Sequence, residues 1–79
     1  MILLGSTGSI GVNTLEVAKK FNIKVEVLVA GFNIKLLNQQ IQTHMPRVVV
    51  VARSEDIPKV NHNNVYAGEE NILKVIKDE

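Results

Sequence analysis

The sequence predicts an α/β fold in which helices wind around a parallel sheet, and three observations support this prediction. Short apolar runs rich in β-branched residues alternate with stretches whose apolar residues recur every three to four positions. The run Val48–Val51 is continuously β-branched, as in a strand that is covered on both faces. A glycine-rich turn, GSTGSIG, joins the first apolar run to the first helical stretch. Together these features predict a doubly wound layer with right-handed crossovers.

The first predicted unit is a strand, a tight turn and a helix. Met1–Leu4 is an apolar strand ended by Gly5. From Ser9 onward, residues with helical spacing are Ile10, Thr14, Val17, Ala18 and Phe21. Two lysines lie in the last turn, where cations favour the carbonyl end of the helix dipole, and Asn22 is the predicted stop.

The second and third strands are predicted from β-branched runs. Val25–Ala30 is closed by Gly31, and Val48–Val51 follows Pro46. Between these strands Asn33 is the predicted cap of a helix that ends before the proline. The apolar positions of this helix are Ile34, Leu37, Ile41 and Met45.

The rest of the chain continues the alternation. Ser54–Val60 predicts a short helical turn, Asn61–Asn64 a loop, and Val65–Ala67 a short fourth strand. Gly68 leads into a last helix with apolar residues Ile72, Leu73, Val75 and Ile76. A dinucleotide-binding domain usually has six strands in two halves. We therefore expect residues 1–79 to form a partial dinucleotide-binding domain, Rossmann-like, with the first strand on an exposed edge.

The composition excludes several classes of function. The 79 residues are 46% hydrophobic and 22% charged, with a net charge of +1, which gives no electrostatic argument for nucleic acid or anionic membrane as a partner. The sequence has no cysteine, so disulfides and thiolate chemistry are excluded. No apolar run approaches the roughly 18 residues of a membrane span. His44 and His62 are expected to be structural or solvated, and the acids have no metal-ligand spacing.

The glycine-rich turn suits the pyrophosphate of a dinucleotide. Gly5 lets the chain leave the strand, Gly8 removes a Cβ that would block the pyrophosphate, and Gly11 lets the helix pack against the sheet. The backbone amides of residues 7–10 would point at the anion from the helix N-terminus. Further hydroxyl donors are Ser6, Thr7 and Ser9. The spacing G-x-x-G-x-x-G is one residue longer than the commonest form, so its position between strand and helix carries the prediction.

The end of the second strand bears on the choice between NAD and NADP. NAD-binding domains place an acid there to accept hydrogen bonds from the adenosine ribose. Here the segment reads VAGFN, with no acid, and Glu26 is expected in the middle of the strand. The absence of the acid permits a 2′-phosphate, which Gly31 and Asn33 could bind. Lys35 is either a cation beside that phosphate or a solvated helix residue.

With LGSTGSIG followed by TLEVA, then LVAGFNI and an apolar strand after Pro46, the chain resembles the N-terminal NADPH-binding region of the 1-deoxy-D-xylulose 5-phosphate reductoisomerases. The resemblance covers essentially all 79 residues. The residues it assigns to phosphate and ribose binding are Thr7, Gly8, Ser9, Ile10, Gly31, Phe32 and Asn33. Phe32 departs from the family, in which Lys or Arg commonly follows the glycine, and it either stacks on the adenine or packs against the protein.

The family implies a cytoplasmic bacterial homodimer that isomerises and reduces 1-deoxy-D-xylulose 5-phosphate to 2-C-methyl-D-erythritol 4-phosphate in isoprenoid biosynthesis. It uses NADPH and Mg²⁺ or Mn²⁺. The resemblance also implies that residues 1–79 are the N-terminal domain in part, without the family's catalytic, metal-binding and C-terminal domains. These residues alone are therefore expected to be inactive and to contain no catalytic or metal-binding residue. Self-association through the exposed edge is a further expectation.

Two alternatives remain open from the sequence. One is the N-terminal part of another NADP-dependent reductase, such as a semialdehyde dehydrogenase or an extended short-chain dehydrogenase. The other is a non-catalytic module that senses a nucleotide.

Overall fold

A computed structural model describes residues 1–68 and Ile72. Its elements in chain order are β1 (Ile2–Leu4), α1 (Ser9–Lys20), β2 (Val27–Val29), α2 (Ile34–His44), β3 (Val48–Val51), a 3₁₀ helix (Ser54–Lys59) and β4 (Val65–Ala67). The α/β fold is confirmed, and so is the predicted order of elements as far as β4.

The strand bounds agree best in the second half of the chain. β3 and β4 match their predicted ranges, and the turn predicted at Ser54–Val60 is the 3₁₀ helix. β2 is shorter than predicted, since its paired residues are Val27–Val29. The amides just outside this range, of Glu26 and Ala30, still donate to the carbonyls of Met1 and Val50 at 2.9 and 2.8 Å. Ile72 is helical, and the other apolar residues of the predicted last helix, Leu73, Val75 and Ile76, lie outside the described residues.

The described sheet has four parallel strands in the order β1-β2-β3-β4. β1 is therefore an edge strand of this sheet, as predicted. On one face, the central strands pack against both long helices, in a cluster that includes Leu28, Val49 and Leu37. On the other face, Val50 belongs to a second cluster against which Ile72 packs. In the described residues the two long helices thus cover one face, and Ile72 makes an apolar contact with the other.

Helical spacing identified α1 and one of its buried residues, Ala18, but otherwise selected residues that are not buried. Gly11, Leu15 and Ala18 are buried, whereas Ile10 is 81% exposed and Phe21 is 65% exposed. The cause is Gly11, because a Cβ there would lie 2.0 Å from the carbonyl oxygen of Gly5. This close approach fixes the rotation of α1, and positions four and seven residues later then face the sheet.

The ends of both helices follow the predicted signals. The Asn33 side chain caps α2, with its Oδ1 accepting from the Leu36 amide at 3.1 Å. Met45 ends α2 in the left-handed conformation (φ 49°), and Asn22 has φ 56° just beyond α1. Among the described residues, no helix combines the length and apolar character needed to cross a membrane.

Candidate cofactor-binding site

Hydrogen bonds from backbone amides of the glycine-rich turn join it to the neighbouring strand, β2. Gly5 has φ +75°, a conformation that suits glycine, and turns the chain sharply out of β1. The amides of Gly5 and Ser6 both donate to the Val29 carbonyl oxygen, at 2.8 and 3.0 Å. The Gly8 amide then donates to the Gly5 carbonyl at 3.1 Å. These bonds place the turn directly beside the carboxyl end of β2.

The fold itself explains two of the three glycines of the turn. Gly5 is required by its positive φ, and Gly11 by the backbone of Gly5 and Ser6, which a Cβ would overlap. The sequence assigned Gly11 to packing against the sheet, and the structure shows that its close contact is with the turn. At Gly8 a Cβ would meet only the Gly5 carbonyl oxygen, at an ordinary 3.5 Å. The described structure therefore leaves the space in front of Gly8 open.

The N-terminus of α1 has free backbone donors. Gly8 is the N-cap and has no side chain to accept from the first turn, so the amides of Ser9 and Ile10 have no intrahelical acceptor. The first turn contains no acid that would repel an anion. Thr7 is half-buried, while Ser9 and Ile10 are exposed. The structure thus brings these residues together as an open anion-binding surface.

Ser6 does not belong to that surface. Its side chain is fully buried, and its hydroxyl has no hydrogen-bond partner among the described residues. Its carbonyl oxygen accepts from Nε2 of Gln40 in α2 at 2.7 Å, and Gln40 is itself 7% exposed. The prediction that the Ser6 hydroxyl is a donor for the ligand is therefore not supported, and the hydroxyls of Thr7 and Ser9 remain.

The second predicted segment lies at the same edge of the sheet, directly after β2. A Cβ on Gly31 would meet nothing within 4 Å, so this glycine also has open space beside it. The Oδ1 atom of Asn33 is occupied by its capping bond, which leaves Nδ2 as the donor that a phosphate could use. Glu26 was expected in mid-strand, and it lies instead before β2, at the opposite end from Gly31. It is therefore too far along the strand to meet a ribose at this edge.

Phe32 packs against a residue that the sequence reasoning did not consider. The guanidinium carbon of Arg53 lies 4.9 Å from the centre of the Phe32 ring, although the phenylalanine is still 65% exposed. Arg53 follows β3 at the same edge at which Phe32 follows β2. That shared position is the signal that could have identified the pair, because the carboxyl ends of neighbouring parallel strands lie together.

Asp56 holds the Arg53 side chain in place. Its Oδ2 and Oδ1 atoms accept from Nε and Nη2 of Arg53, at 3.1 and 3.2 Å. This hydrogen bonding raises the pKa of Arg53 above its usual value, and the guanidinium is charged at any physiological pH. Asp56 is 1% exposed and also meets Lys59 Nζ at 3.6 Å. Glu55 lies 3.8 Å from Nε of the arginine and is largely exposed.

Two further features adjoin this edge. A pocket of about 290 Å³ lies beyond the ends of β2 and β3, with apolar walls that include Ala30, Val50 and Ile72. Lys35 is exposed in the first turn of α2, and no ion pair involves it among the described residues.

The histidines lie away from this edge. Nδ1 of His62 accepts from the Asn64 amide at 2.9 Å, and Nε2 lies 2.7 Å from the Pro46 carbonyl oxygen, so the ring bridges two loop segments. His44 is half-buried in the last turn of α2, where burial, and then the charge of Lys19, lower its pKa. No three His, Asp or Glu side chains of residues 1–68 and 72 come together as metal ligands, so this part of the chain does not fit a Mg²⁺ or Mn²⁺ site.

Comparisons with known proteins agree with this geometry. The family model described as 1-deoxy-D-xylulose 5-phosphate reductoisomerase matches residues 1–79. The enzyme of that name from Campylobacter lari is 47% identical over 78 residues, which are 99% of this chain and 22% of that protein. The one from Nautilia profundicola is 49% identical over 77 residues, or 98% of this chain and 21% of that protein.

A solved structure shows the same fold. It is 1-deoxy-D-xylulose 5-phosphate reductoisomerase from Zymomonas mobilis in complex with NADPH, with a TM-score of 0.78 and 24% identity, covering 90% of this chain and 21% of that one. The chain spans about a fifth of the length of the curated relatives it matches. By the family match over its whole length, this chain belongs to the 1-deoxy-D-xylulose 5-phosphate reductoisomerase family.

Proposed function

We propose that this chain forms the NADPH-binding part of a reductoisomerase that converts 1-deoxy-D-xylulose 5-phosphate to 2-C-methyl-D-erythritol 4-phosphate. The observation that carries the proposal is the open N-terminus of α1, held beside the end of β2 by the two hydrogen bonds to Val29. Family membership favours this function over the semialdehyde and short-chain dehydrogenase alternatives. It also favours it over a nucleotide-sensing module that performs no chemistry, because the relatives carry the name of an enzyme.

The turn is proposed to bind the pyrophosphate. The free amides of Ser9 and Ile10 supply directed donors, and the dipole of α1 adds a favourable potential for the anion. The open space at Gly8 lets the pyrophosphate approach the backbone, and the Thr7 and Ser9 hydroxyls lie beside it.

The end of β2 is proposed to bind the adenosine half. With no acid in the segment VAGFN, no carboxylate there would repel a 2′-phosphate, which supports NADPH over NADH. Gly31 leaves room for the ribose, and the exposed Phe32 and the Nδ2 donor of Asn33 belong to the same segment. The apolar pocket beyond β2 and β3 offers a surface of suitable character for the purine ring.

NADPH supplies the hydride that reduces the aldehyde formed by rearrangement of the sugar phosphate. The described residues bind and orient this donor. The metal and the sugar phosphate are proposed to be held by residues other than these, in a cytoplasmic homodimer such as the resemblance implies. Residues 1–79 are accordingly proposed to form a partial N-terminal domain.

The experiment is a calorimetric titration of the purified protein with NADPH and with NADH. Saturable binding that is tighter for NADPH is expected. The variant Gly8→Val should keep its circular dichroism, with a thermal midpoint lowered only modestly by the weaker N-cap, because the added Cβ meets only the Gly5 carbonyl oxygen, at an ordinary 3.5 Å, and it should lose NADPH binding. As a matched control, Thr43→Val, at an exposed position of α2, should bind like the wild type. Absence of saturable NADPH binding by the wild type, or wild-type affinity in Gly8→Val, would contradict the proposal.

A further inference from the structure

We propose that Arg53 is the residue that selects a phosphorylated adenosine ribose, taking the role of a cation that Phe32 cannot fill. This inference rests on the proposed NADPH function and adds a specificity-determining residue to it. In dinucleotide-binding domains an arginine near the end of the second strand accommodates the 2′-phosphate. Here that arginine comes from the neighbouring strand, β3, and reaches the segment after β2 across the Phe32 ring.

The first step of the argument is position. Arg53 lies two residues after β3, and Phe32 lies three residues after β2, at the same edge of the parallel sheet. With the guanidinium 4.9 Å from the ring centre, its charge lies beside the segment that also contains Gly31 and Asn33. Those two residues offer open space and an amide donor, and neither carries a charge.

The second step is orientation. A guanidinium has five N–H donors. Asp56 takes one from Nε and one from Nη2, which leaves three, two on Nη1 and one on Nη2, with no partner among the described residues. The carboxylate thus occupies one side of the fork and leaves its end free for a second anion. Because Asp56 is fully buried, it fixes the guanidinium before any ligand arrives.

The third step is a comparison with the other cation. Lys35 is exposed, and no described residue holds its side chain in one position. Ordering a free lysine costs rotamer entropy, and a lysine cannot make the paired contacts that a guanidinium makes with a phosphate. Arg53 is half-exposed and already ordered on two sides. The geometry therefore favours Arg53.

The charged groups around Arg53 affect how tightly it can bind a phosphate. Glu55 lies 3.8 Å from Arg53 Nε, and Lys59 lies 3.6 Å from Asp56, so two positive and two negative groups meet in this cluster. Their formal charges cancel, and selectivity must come from the directed donors of Arg53 rather than from the sum of charge. Removing the charge of the exposed Glu55 should leave a net positive cluster that binds the phosphate more tightly.

The test compares two probes that differ only in the phosphate, 2′,5′-ADP and 5′-AMP, by calorimetric titration of the whole protein. We expect Arg53→Gln to lower the affinity for 2′,5′-ADP at least about tenfold, because charge-assisted hydrogen bonds are lost. The affinity for 5′-AMP should stay nearly unchanged. Glu55→Gln should raise the affinity for 2′,5′-ADP and leave the affinity for 5′-AMP unchanged. The matched control is Lys20→Met, because Lys20 lies 5.8 Å over the Phe21 ring at the other end of α1, and it should change neither affinity.

An unchanged ratio of the two affinities in Arg53→Gln overturns the inference, and so does a loss of selectivity in Lys35→Met instead. If Arg53→Gln does not fold, Arg53→Lys and Glu55→Gln are measured in its place. The inference is also overturned if neither variant changes the ratio of the affinities for 2′,5′-ADP and 5′-AMP. A wild type that binds NADPH, with selectivity independent of Arg53, refutes this inference alone. A wild type that binds none of these nucleotides refutes the proposed function and this inference together.

Discussion

Gln40 in α2 donates from Nε2 to the carbonyl oxygen of Ser6 at 2.7 Å, and both residues are buried. The bond joins positions 34 residues apart and ties the second helix to the glycine-rich turn. The amide of Ser6 also donates to the Val29 carbonyl oxygen, so hydrogen bonds hold both the amide and the carbonyl of Ser6. The turn is therefore rigid on its protein side and open on the side of the α1 N-terminus.

Replacing Gln40 by Leu should destabilise the protein. The Ser6 carbonyl would stay buried without its donor, which costs about 1–3 kcal/mol in the free energy of unfolding. Urea denaturation measures the difference. Gln42→Leu is the matched control, since Gln42 is exposed in the same helix and should shift the midpoint little. Equal stability of the two variants would show that the buried bond contributes nothing.

The glycines of the turn should respond differently to alanine. In Gly11→Ala the new Cβ overlaps the Gly5 carbonyl, so α1 must move away, at a cost of about 1–3 kcal/mol or more. In Gly8→Ala the new Cβ makes an ordinary contact, and only a weaker N-cap is expected, worth about 1 kcal/mol or less. Thermal unfolding of both variants tests whether Gly11→Ala is the less stable of the two. A Gly8 variant less stable than the Gly11 variant would contradict these steric roles.

His44 should make stability depend on pH. Burial, and then Lys19, lower its pKa in the folded protein below the usual 6.5, so the unfolded chain binds the proton more readily. The free energy of unfolding should therefore fall as the pH drops through about 6.5, and should level off below the folded pKa. Urea titrations between pH 8 and pH 5 should show that His44→Gln lacks this component. Lys19→Met should reduce it, and an increase in stability on acidification would give the wrong sign.

The edge strand β1 should promote self-association. It is unpaired on its outer side within the described sheet, and its last residue, Leu4, is 60% exposed. Sedimentation velocity over a range of concentrations should show a dimer that grows with concentration. Leu4→Lys should weaken it, because a charged side chain opposes edge pairing, whereas Val17→Lys on α1 tests whether the exposed helix face contributes instead. A single monomeric species at every concentration would count against association at this edge.

The fold was largely predictable because its signals are local. The run of four valines gave the bounds of β3, and Asn33 and Pro46 gave the limits of α2 through capping and backbone restriction. The rotation of α1 was not predictable in the same way, because Ile10, Val17 and Phe21 form as good an apolar stripe as Leu15 and Ala18. Only the contact of Gly11 with a residue six positions earlier decides between them.

Some residues of the candidate site could be predicted from the sequence, and others could not. The turn and the segment VAGFN could be found because each is continuous in sequence and follows a strand. Gln40 could not, because it acts across the fold from α2 and nothing in its own neighbourhood marks it. Arg53 could be found only by comparing the positions that follow two neighbouring parallel strands, β2 and β3. Ser6 shows the converse, since a hydroxyl within the motif is turned inward by its packing.

The most direct test of the central claim is an NMR titration of the ¹⁵N-labelled protein with NADPH. The account predicts that the largest amide shifts fall on Thr7, Gly8, Ser9 and Ile10 and on Gly31, Phe32 and Asn33. The groove between α1 and α2, lined in part by Gln39 and Thr43, should shift little. Saturable shifts confined to that groove, or no saturable shift in the glycine-rich turn, would contradict the account.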